Sequence, residues 1–228
     1  MFLSIIIPAL NEKLTIAAVI SRAQEGLRNL KLPGEIIVAD NGSVDGTAQI
    51  AQAAGAKVVP VELKGYGSAI RGGIAAAQGD WIIFADADTS YDLGQMGPFI
   101  EKLQEGYDFV IGNRFQGEHI PHNMPFLHRY LGTPVLSWIC SQLFGVKVGD
   151  VNCGMRCFTR KAYDQMQCVA TGMEFASELI ARAALHKLKI VEIPCTLYVP
   201  PKERKAHIRT WRDGGRHLIF MLKLFSSH

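Results

Sequence analysis

Residues 81–91 read WIIFADADTSY: four large apolar side chains, one alanine, then Asp86 and Asp88 with a single alanine between them. A short run of bulky residues without polar alternation reads as a strand covered on both faces. Carboxylates where such a strand runs out lie on the sheet edge at which open α/β sheets bind ligands. In an extended strand, side chains i and i+2 share a face, so Asp86 and Asp88 would converge while Ala87 turns away. Converging carboxylates repel unless a cation lies between them. Hard oxygen ligands of this kind suit Mg²⁺ or Mn²⁺, which can in turn hold a diphosphate. The plainer alternative is that one aspartate caps the next helix and the other faces water.

Upstream of this strand the pattern repeats. LSIII (3–7), EIIVAD (35–40), KVVPVE (57–62) and DWIIFAD (80–86) read as strands, and residues 14–29, 45–54 and 67–77 carry helical spacing. Strand–helix alternation of this kind predicts a largely parallel α/β sheet with right-handed crossovers and helices on both faces. Downstream the spacing predicts a helix over 92–104, a strand over 108–114, a loop over 115–127 and a helix over 128–144. A helix over 174–187, a strand over 189–194 and a charged, proline-broken loop over 199–210 complete the chain. Nothing reads as a linker, so residues 1–228 are expected to form a single domain.

The bulk numbers exclude several classes. A net charge of +3 on 228 residues gives no global argument for nucleic acid. The basic residues are instead local: Lys202, Arg204, Lys205, Arg209, Arg212 and Arg216 crowd near the C-terminus, where they would suit an anionic surface. Five scattered cysteines fit neither a disulfide framework nor a zinc site, which favours reduced thiols in the cytoplasm. The first residues, MFLSIIIPAL, lack the basic start of a signal peptide. No run approaches the ~20 apolar residues of a membrane span, so any spans are expected beyond residue 228.

Three further stretches offer polar groups at strand ends. In PALNE (8–12), Pro8 is expected to stop the first strand, with Asn11 and Glu12 beyond it and Asn11 capping the next helix. In ADNGSVDGT (39–47), Asp40 closes the second strand, Asn41-Gly42 makes a turn, and Asp45 can cap a helix. An aspartate in Asp40's position can accept from a ribose or a base. In KGYGSAIRGGIAAAQGD (64–80), Lys64 and Arg71 flank glycines that would let backbone amides approach an anion. Together the four strand ends read as one nucleotide–metal cleft.

SIIIPALNE, DNGSVDGT, GYGSAIRGG…GDWIIFADAD and YDFVIGNR resemble, in order and spacing, the family 2 glycosyltransferases of GT-A fold. GNRF (112–115), HRYLGT (128–133), DVNCGMRCFTR (150–160) and MEFASELIARA (173–183) look like the polyprenyl-phosphate hexosyltransferases within them, such as dolichol-phosphate mannose synthases and bacterial glucosyl relatives. The resemblance implies that Pro8, Asn11, Glu12 and Asp40 line the base and ribose pocket. It implies that Asp86 and Asp88 hold the metal and donor diphosphate. Arg114, Arg129 and Thr133 would grip the phosphate of a lipid acceptor, and the loop from Lys202 to Arg209 would close on the diphosphate or rest on lipid headgroups. Residues 1–114 would then bind the nucleotide sugar, with Lys64, Arg71 and Ala87 in its site, and 115–228 the acceptor. Two departures stand out: Asn41 where relatives often carry a second aspartate, and Ser90 where mannose synthases often carry a glutamine.

A phosphate acceptor has a physical rationale. A hydroxyl must lose a proton as it attacks, so it needs a positioned base. A phosphate monoester is ionised near pH 7 and needs cations and alignment instead, for which arginine's fork is suited. Arg114, Arg129 and Arg156 are the candidate cations, and Arg129 and Thr133 fall at i and i+4 of one helix face. Glu174 and Glu178 would be base candidates for a hydroxyl acceptor, or anchors for basic side chains, and His119 and His122 read as loop polar groups. The expectation is an inverting, metal-dependent transferase using UDP-glucose or GDP-mannose, peripheral to the cytoplasmic membrane face, with homo-oligomer formation left open. The alternatives are a soluble family 2 transferase acting on a sugar or glycerate hydroxyl, and a non-catalytic nucleotide-sugar-binding subunit.

Overall fold

A computed structural model describes residues 1–117, 132–201 and 210–227, residues 210–213 by backbone alone. Arg129, His119, His122 and the basic residues from Lys202 to Arg209 lie outside the described residues, as does the Arg212 side chain.

The four early strands form as expected: β1 (Leu3–Ala9), β2 (Gly34–Asp40), β3 (Lys57–Pro60) and β4 (Trp81–Phe84). Helices α1 (Ile16–Leu30), α2 (Thr47–Ala53) and α3 (Tyr66–Ala75) connect them. Then follow a 3₁₀ turn (Leu93–Gln95), α4 (Gly97–Gln104), β5 (Phe109–Asn113) and α5 (Thr133–Phe144). The chain continues through β6 (Arg156–Thr159), α6 (Arg160–Met166), α7 (Phe175–Leu185), β7 (Ile190–Pro194) and α8 (Thr210–Ser226). One seven-stranded sheet has the order β3-β2-β1-β4-β6-β5-β7. Its pairs are parallel except for β6, which runs antiparallel to both β4 and β5.

That reversal positions the site. Because β6 runs backwards, its start at Arg156 pairs with the end of β4 at Phe84 and lies beside Ile111 of β5. The segment 149–155 therefore arrives at the same edge as the C-terminal ends of β1, β2, β4 and β5. The core beneath is apolar and fully buried, with Ile5, Ile37, Ile83, Phe109 and Phe158 among its members. Such close-packed strands make the edge a rigid platform.

Several local expectations are corrected. Pro8 does not stop β1, which runs to Ala9. The Ile6 carbonyl accepts from Ala85 N and the Ala9 carbonyl from Asn41 N, so by alternation Pro8's nitrogen faces the β4 side. The β1–β4 pairing has already ended there, at Ile6–Phe84, and the missing N–H costs no ladder bond. The helix expected over 92–104 splits, because Asp92 accepts from Gly94 N and closes a separate turn, and Pro98 sits at the start of α4. β6, α6 and α8 were not anticipated.

Candidate active site

At the β1 and β2 ends the polar residues hold one another. Asn11 adopts the left-handed region, φ 56°. Its amide N donates to Ser43 Oγ at 2.9 Å and its side-chain oxygen accepts from Val44 N at 2.9 Å. It therefore ties the 8–12 turn to the 41–45 turn and does not cap α1, whose N-cap is Thr15. Glu12 is buried, and its N–H donates to Thr47 Oγ1 at 2.8 Å. Asp40 is buried and accepts from Ser43 N at 3.2 Å. Lys64 Nζ donates to the Asn41 carbonyl at 2.7 Å, which sets this cation against the β2 turn.

The glycines of 64–80 do not form an anion cradle. The N–H groups of Gly67 and Ser68, at the start of α3, donate to the carbonyls of Gly172 and Thr171 at 3.3 and 3.0 Å. A Cβ on Gly67 would lie 2.5 Å from the Ala170 carbonyl, and one on Gly73 would lie 2.5 Å from Ile6 Cγ2. These glycines allow close packing of α3 on β1 and on the 170–172 segment. Arg71 points to that segment as well, donating to the Val169 carbonyl at 2.9 Å.

The β4 end is where the two aspartates lie, but not on an extended strand. β4 stops at Phe84, and residues 87–91 turn, with Thr89 at φ 65°. Strand alternation therefore does not govern Asp86 and Asp88. Asp86 Oδ1 accepts from the Tyr66 hydroxyl at 2.8 Å. On its other side stands Gly154, whose N–H donates to Tyr91 Oη at 2.8 Å. A Cβ there would collide with Asp86 Oδ2 and lie 2.8 Å from Tyr91 Cε2. Asp88, 7 % exposed, accepts from Ser90 N at 2.9 Å, while buried Ala87 carries no polar side chain. Burial, reinforced by the charge of Asp86 and the bond to it, holds the Tyr66 phenol well above its ordinary pKa.

At the β5 end, Arg114 is gripped by Asp150. Its Nε donates to Oδ2 at 2.6 Å and its Nη2 to Oδ1 at 2.7 Å, and its backbone N adds a bond at 3.0 Å. Asn152 continues the network, donating from Nδ2 to Thr133 Oγ1 at 3.1 Å. Thr133 is buried at the start of α5, so the structure joins its hydroxyl to Arg114 through Asp150 and Asn152. Glu192 of β7 braces the segment, accepting from Gly149 N, Asp150 N and Asn113 Nδ2 at 2.8, 2.9 and 3.1 Å.

Arg156 is no phosphate cation. It is 0 % exposed and donates to the carbonyls of Cys153, Ala176 and Val151 at 2.9, 2.6 and 2.7 Å. Glu178 is equally occupied, accepting from Val169 N, Ala170 N and Arg182 Nε at 2.9, 2.7 and 2.8 Å. Glu174 Oε1 accepts from Gly172 N at 3.1 Å and from Arg216 Nη2 at 2.8 Å, while its buried Oε2 makes no hydrogen bond among the described residues.

A model of glycosyl transferase family 2 matches residues 4–167. The chain belongs to that family. It is 39 % identical over 221 residues to the low-salt glycan biosynthesis hexosyltransferase Agl6 of Haloferax volcanii. That match covers 96 % of this chain but 53 % of the relative, so the chain spans about half of that protein's length. It is 30 % identical over 206 residues to a dolichyl-phosphate hexose transferase of the same organism, covering 89 % of the chain and 83 % of the relative. An undecaprenyl-phosphate 4-deoxy-4-formamido-L-arabinose transferase of Aeromonas hydrophila is 29 % identical over 172 residues, 72 % of the chain and 51 % of the relative. Among solved structures, glucosyl-3-phosphoglycerate synthase from Mycobacterium tuberculosis, in complex with Mn²⁺, UDP and glucosyl-3-phosphoglycerate, superposes with a TM-score of 0.74 at 23 % identity. That superposition covers 98 % of this chain and 79 % of the other, and the shared fold is GT-A.

Within this family 2 chain the departure at Asn41 has a structural reason. Its Nδ2 donates to the carbonyls of Val61 and Leu63 at 3.0 and 2.9 Å, and its Oδ1 accepts from Gly65 N at 2.8 Å. An aspartate has no donor for the first two bonds. Tyr66, Tyr91, Asp150 and Glu192 went unnoticed in the sequence. Tyr66, Tyr91 and Asp150 each lie inside a quoted stretch, GYGSAIRGG, WIIFADADTSY and DVNCGMRCFTR, but the contacts that give them their roles are distant in sequence, as are those of Glu192. Among the described residues no three His, Cys, Asp or Glu side chains gather as a metal site. Two hard carboxylates beside a diphosphate are nonetheless a fitting donor set for Mg²⁺ or Mn²⁺, which keep water and substrate phosphates as their remaining ligands.

Proposed function

We propose that this chain transfers a hexose from a nucleoside-diphosphate sugar, UDP-glucose or GDP-mannose, to a polyprenyl phosphate at a membrane surface. The observation that carries the reading is the contrast at the acceptor side of the sheet edge. There a guanidinium, Arg114, is fixed by a buried carboxylate, while Glu178 is consumed by two backbone N–H groups and Arg182. An ionised phosphate needs a fixed cation and no base. Two relatives whose names specify dolichyl and undecaprenyl phosphate add support.

In this reading the turns carrying Asn11, Glu12 and Asp40 receive the nucleoside, with Lys64 beside them against the β2 turn, while Arg71 serves the packing of α3 on the 169–172 segment. Asp86 and Asp88 hold Mg²⁺ or Mn²⁺, which when bound stabilises the negative charge of the departing diphosphate. Arg114, with Arg129 and Thr133, aligns the acceptor phosphate. A phosphate oxygen attacks the anomeric carbon as the bond to the diphosphate breaks, so configuration inverts and the nucleoside diphosphate leaves. No proton need be removed from the acceptor.

Membrane seating is supported by α8. Its residues His217, Met221 and Leu224 are buried, while Ile219, Leu222 and Phe225 recur at intervals of three and are about half exposed. The Phe225 ring meets Phe144 of α5 edge-on, and α5 exposes Trp138. With the basic run before α8, this suits a helix lying on an anionic bilayer. No helix among the described residues is long and apolar enough to cross one. Five free, buried thiols suit a reducing compartment.

The Oε2 of Glu174, which has no hydrogen bond among the described residues, is the observation favouring a hydroxyl acceptor instead. Comparing prenyl phosphate with glycerate and sugar acceptors, in wild type and Glu174→Gln, separates the two. The proposal expects transfer to prenyl phosphate only, retained in the variant. Transfer to a hydroxyl that vanishes in Glu174→Gln would install the rival.

A further inference from the structure

The Asp86 carboxylate sits past the end of its strand, where no ladder orients it. One of its oxygens accepts from the Tyr66 hydroxyl at 2.8 Å, and the other faces a glycine, Gly154, that leaves room for nothing larger. Tyr66 is the first residue of α3, and the segment before it is fastened by Asn41 through Val61, Leu63 and Gly65. A continuous line of hydrogen bonds and backbone thus runs from the β2 end, through Asn41, Gly65 and Tyr66, to the β4 end at Asp86. We propose that Tyr66 is a positioning residue, whose hydroxyl fixes the orientation in which Asp86 meets the divalent metal. The inference rests on the metal-binding reading of Asp86 given above.

The physical reason lies in the direction of one bond: the Tyr66 hydroxyl donates to Oδ1 at 2.8 Å and so fixes which way that oxygen's remaining lone pair points. Removing that hydroxyl takes away one restraint on the carboxylate's orientation, which metal binding must then supply at an entropic cost. Hydrogen bonds that orient a ligating carboxylate commonly contribute 10–100-fold in metal affinity. The hydroxyl reaches Asp86 only because Gly65, at φ 129°, turns the chain into α3 beside the 171–172 segment. Asn41 is then a second positioning residue one step removed, linking the turn after Asp40 to the aspartate pair.

The test is Mn²⁺ binding, followed by the loss of the free-ion paramagnetic resonance signal, with UDP or GDP present. Wild type, Tyr66→Phe, Tyr66→Leu and Asp86→Asn are compared, each with a thermal melt in the absence of metal. The expected result is that Asp86→Asn loses Mn²⁺ binding and that both Tyr66 variants weaken it by roughly tenfold. Unchanged affinity in Tyr66→Phe, with Asp86→Asn still defective, overturns the positioning role and leaves the metal reading intact. A defect in Tyr66→Leu alone assigns the effect to packing and likewise overturns it. Normal Mn²⁺ binding by Asp86→Asn removes the metal reading itself.

Discussion

Asp150 holds Arg114 by both carboxylate oxygens, at 2.6 Å from Nε and 2.7 Å from Nη2, and is itself completely buried. The pair joins the end of β5 to the segment that leads into the antiparallel strand β6. Because that segment also receives Glu192, three strands of the sheet meet around one ion pair.

Removing one partner of such a pair leaves the other uncompensated, which costs about 3–5 kcal/mol. Asp150→Ala is therefore expected to lower unfolding free energy by that amount in urea titration. Arg114→Lys keeps the charge and loses the fork. It should raise the KM for prenyl phosphate at least tenfold with a smaller stability loss.

Gly154→Ala places a methyl group against Asp86 and Tyr91. The account expects turnover to fall more than tenfold while the far-UV circular dichroism stays that of wild type. A tyrosine ring and a carboxylate must both give way to one methyl group, at the centre of the donor site.

Stability should fall at alkaline pH. Burial pushes the Cys140 thiol up to about 12, and Cys157 and Cys168 higher still. A group whose folded pKa is raised keeps its full stabilising contribution below its unfolded value and loses it as pH rises through the folded one. Between about pH 9 and 12 each such thiol contributes a slope of up to about −1.4 kcal/mol per pH unit. Urea midpoints measured at pH 8, 9 and 10 should decline, and maleimide should react with none of the three until the chain unfolds.

If α8 lies on lipid, replacing its exposed apolar residues weakens binding without unfolding the protein. Leu222→Ser and Phe225→Ser should each reduce sedimentation with anionic vesicles by roughly tenfold, from the apolar area no longer buried. The thermal midpoint should move little in Leu222→Ser, whose side chain is about half exposed, and more in Phe225→Ser, which also loses its edge-on contact with Phe144.

The sheet was legible because β1, β2 and β4 are short, β-branched or aromatic apolar runs that alternate with helical spacing. The aspartates at the β4 end were legible for the same reason: they are the first charges after such a run. β6 was not, since four residues including an arginine carry no periodic signal, and Arg156 is buried because the carbonyls of Val151 and Cys153, on the turn before it, and of Ala176, 20 residues on, converge on its guanidinium. The glycines around α3 suggested an anion site and serve packing instead, a distinction set by where residues 170–172 fall. Tyr66 escaped notice because its partner lies 20 residues away across the sheet edge.

The most direct test is transfer itself: radiolabelled UDP-glucose and GDP-mannose, a short polyprenyl phosphate and Mg²⁺ or Mn²⁺, with label followed into the organic phase. The account predicts lipid-linked product from one donor, abolished by chelator and by Asp88→Ala. Donor consumed without lipid product, or turnover undiminished in Asp88→Ala, would contradict it.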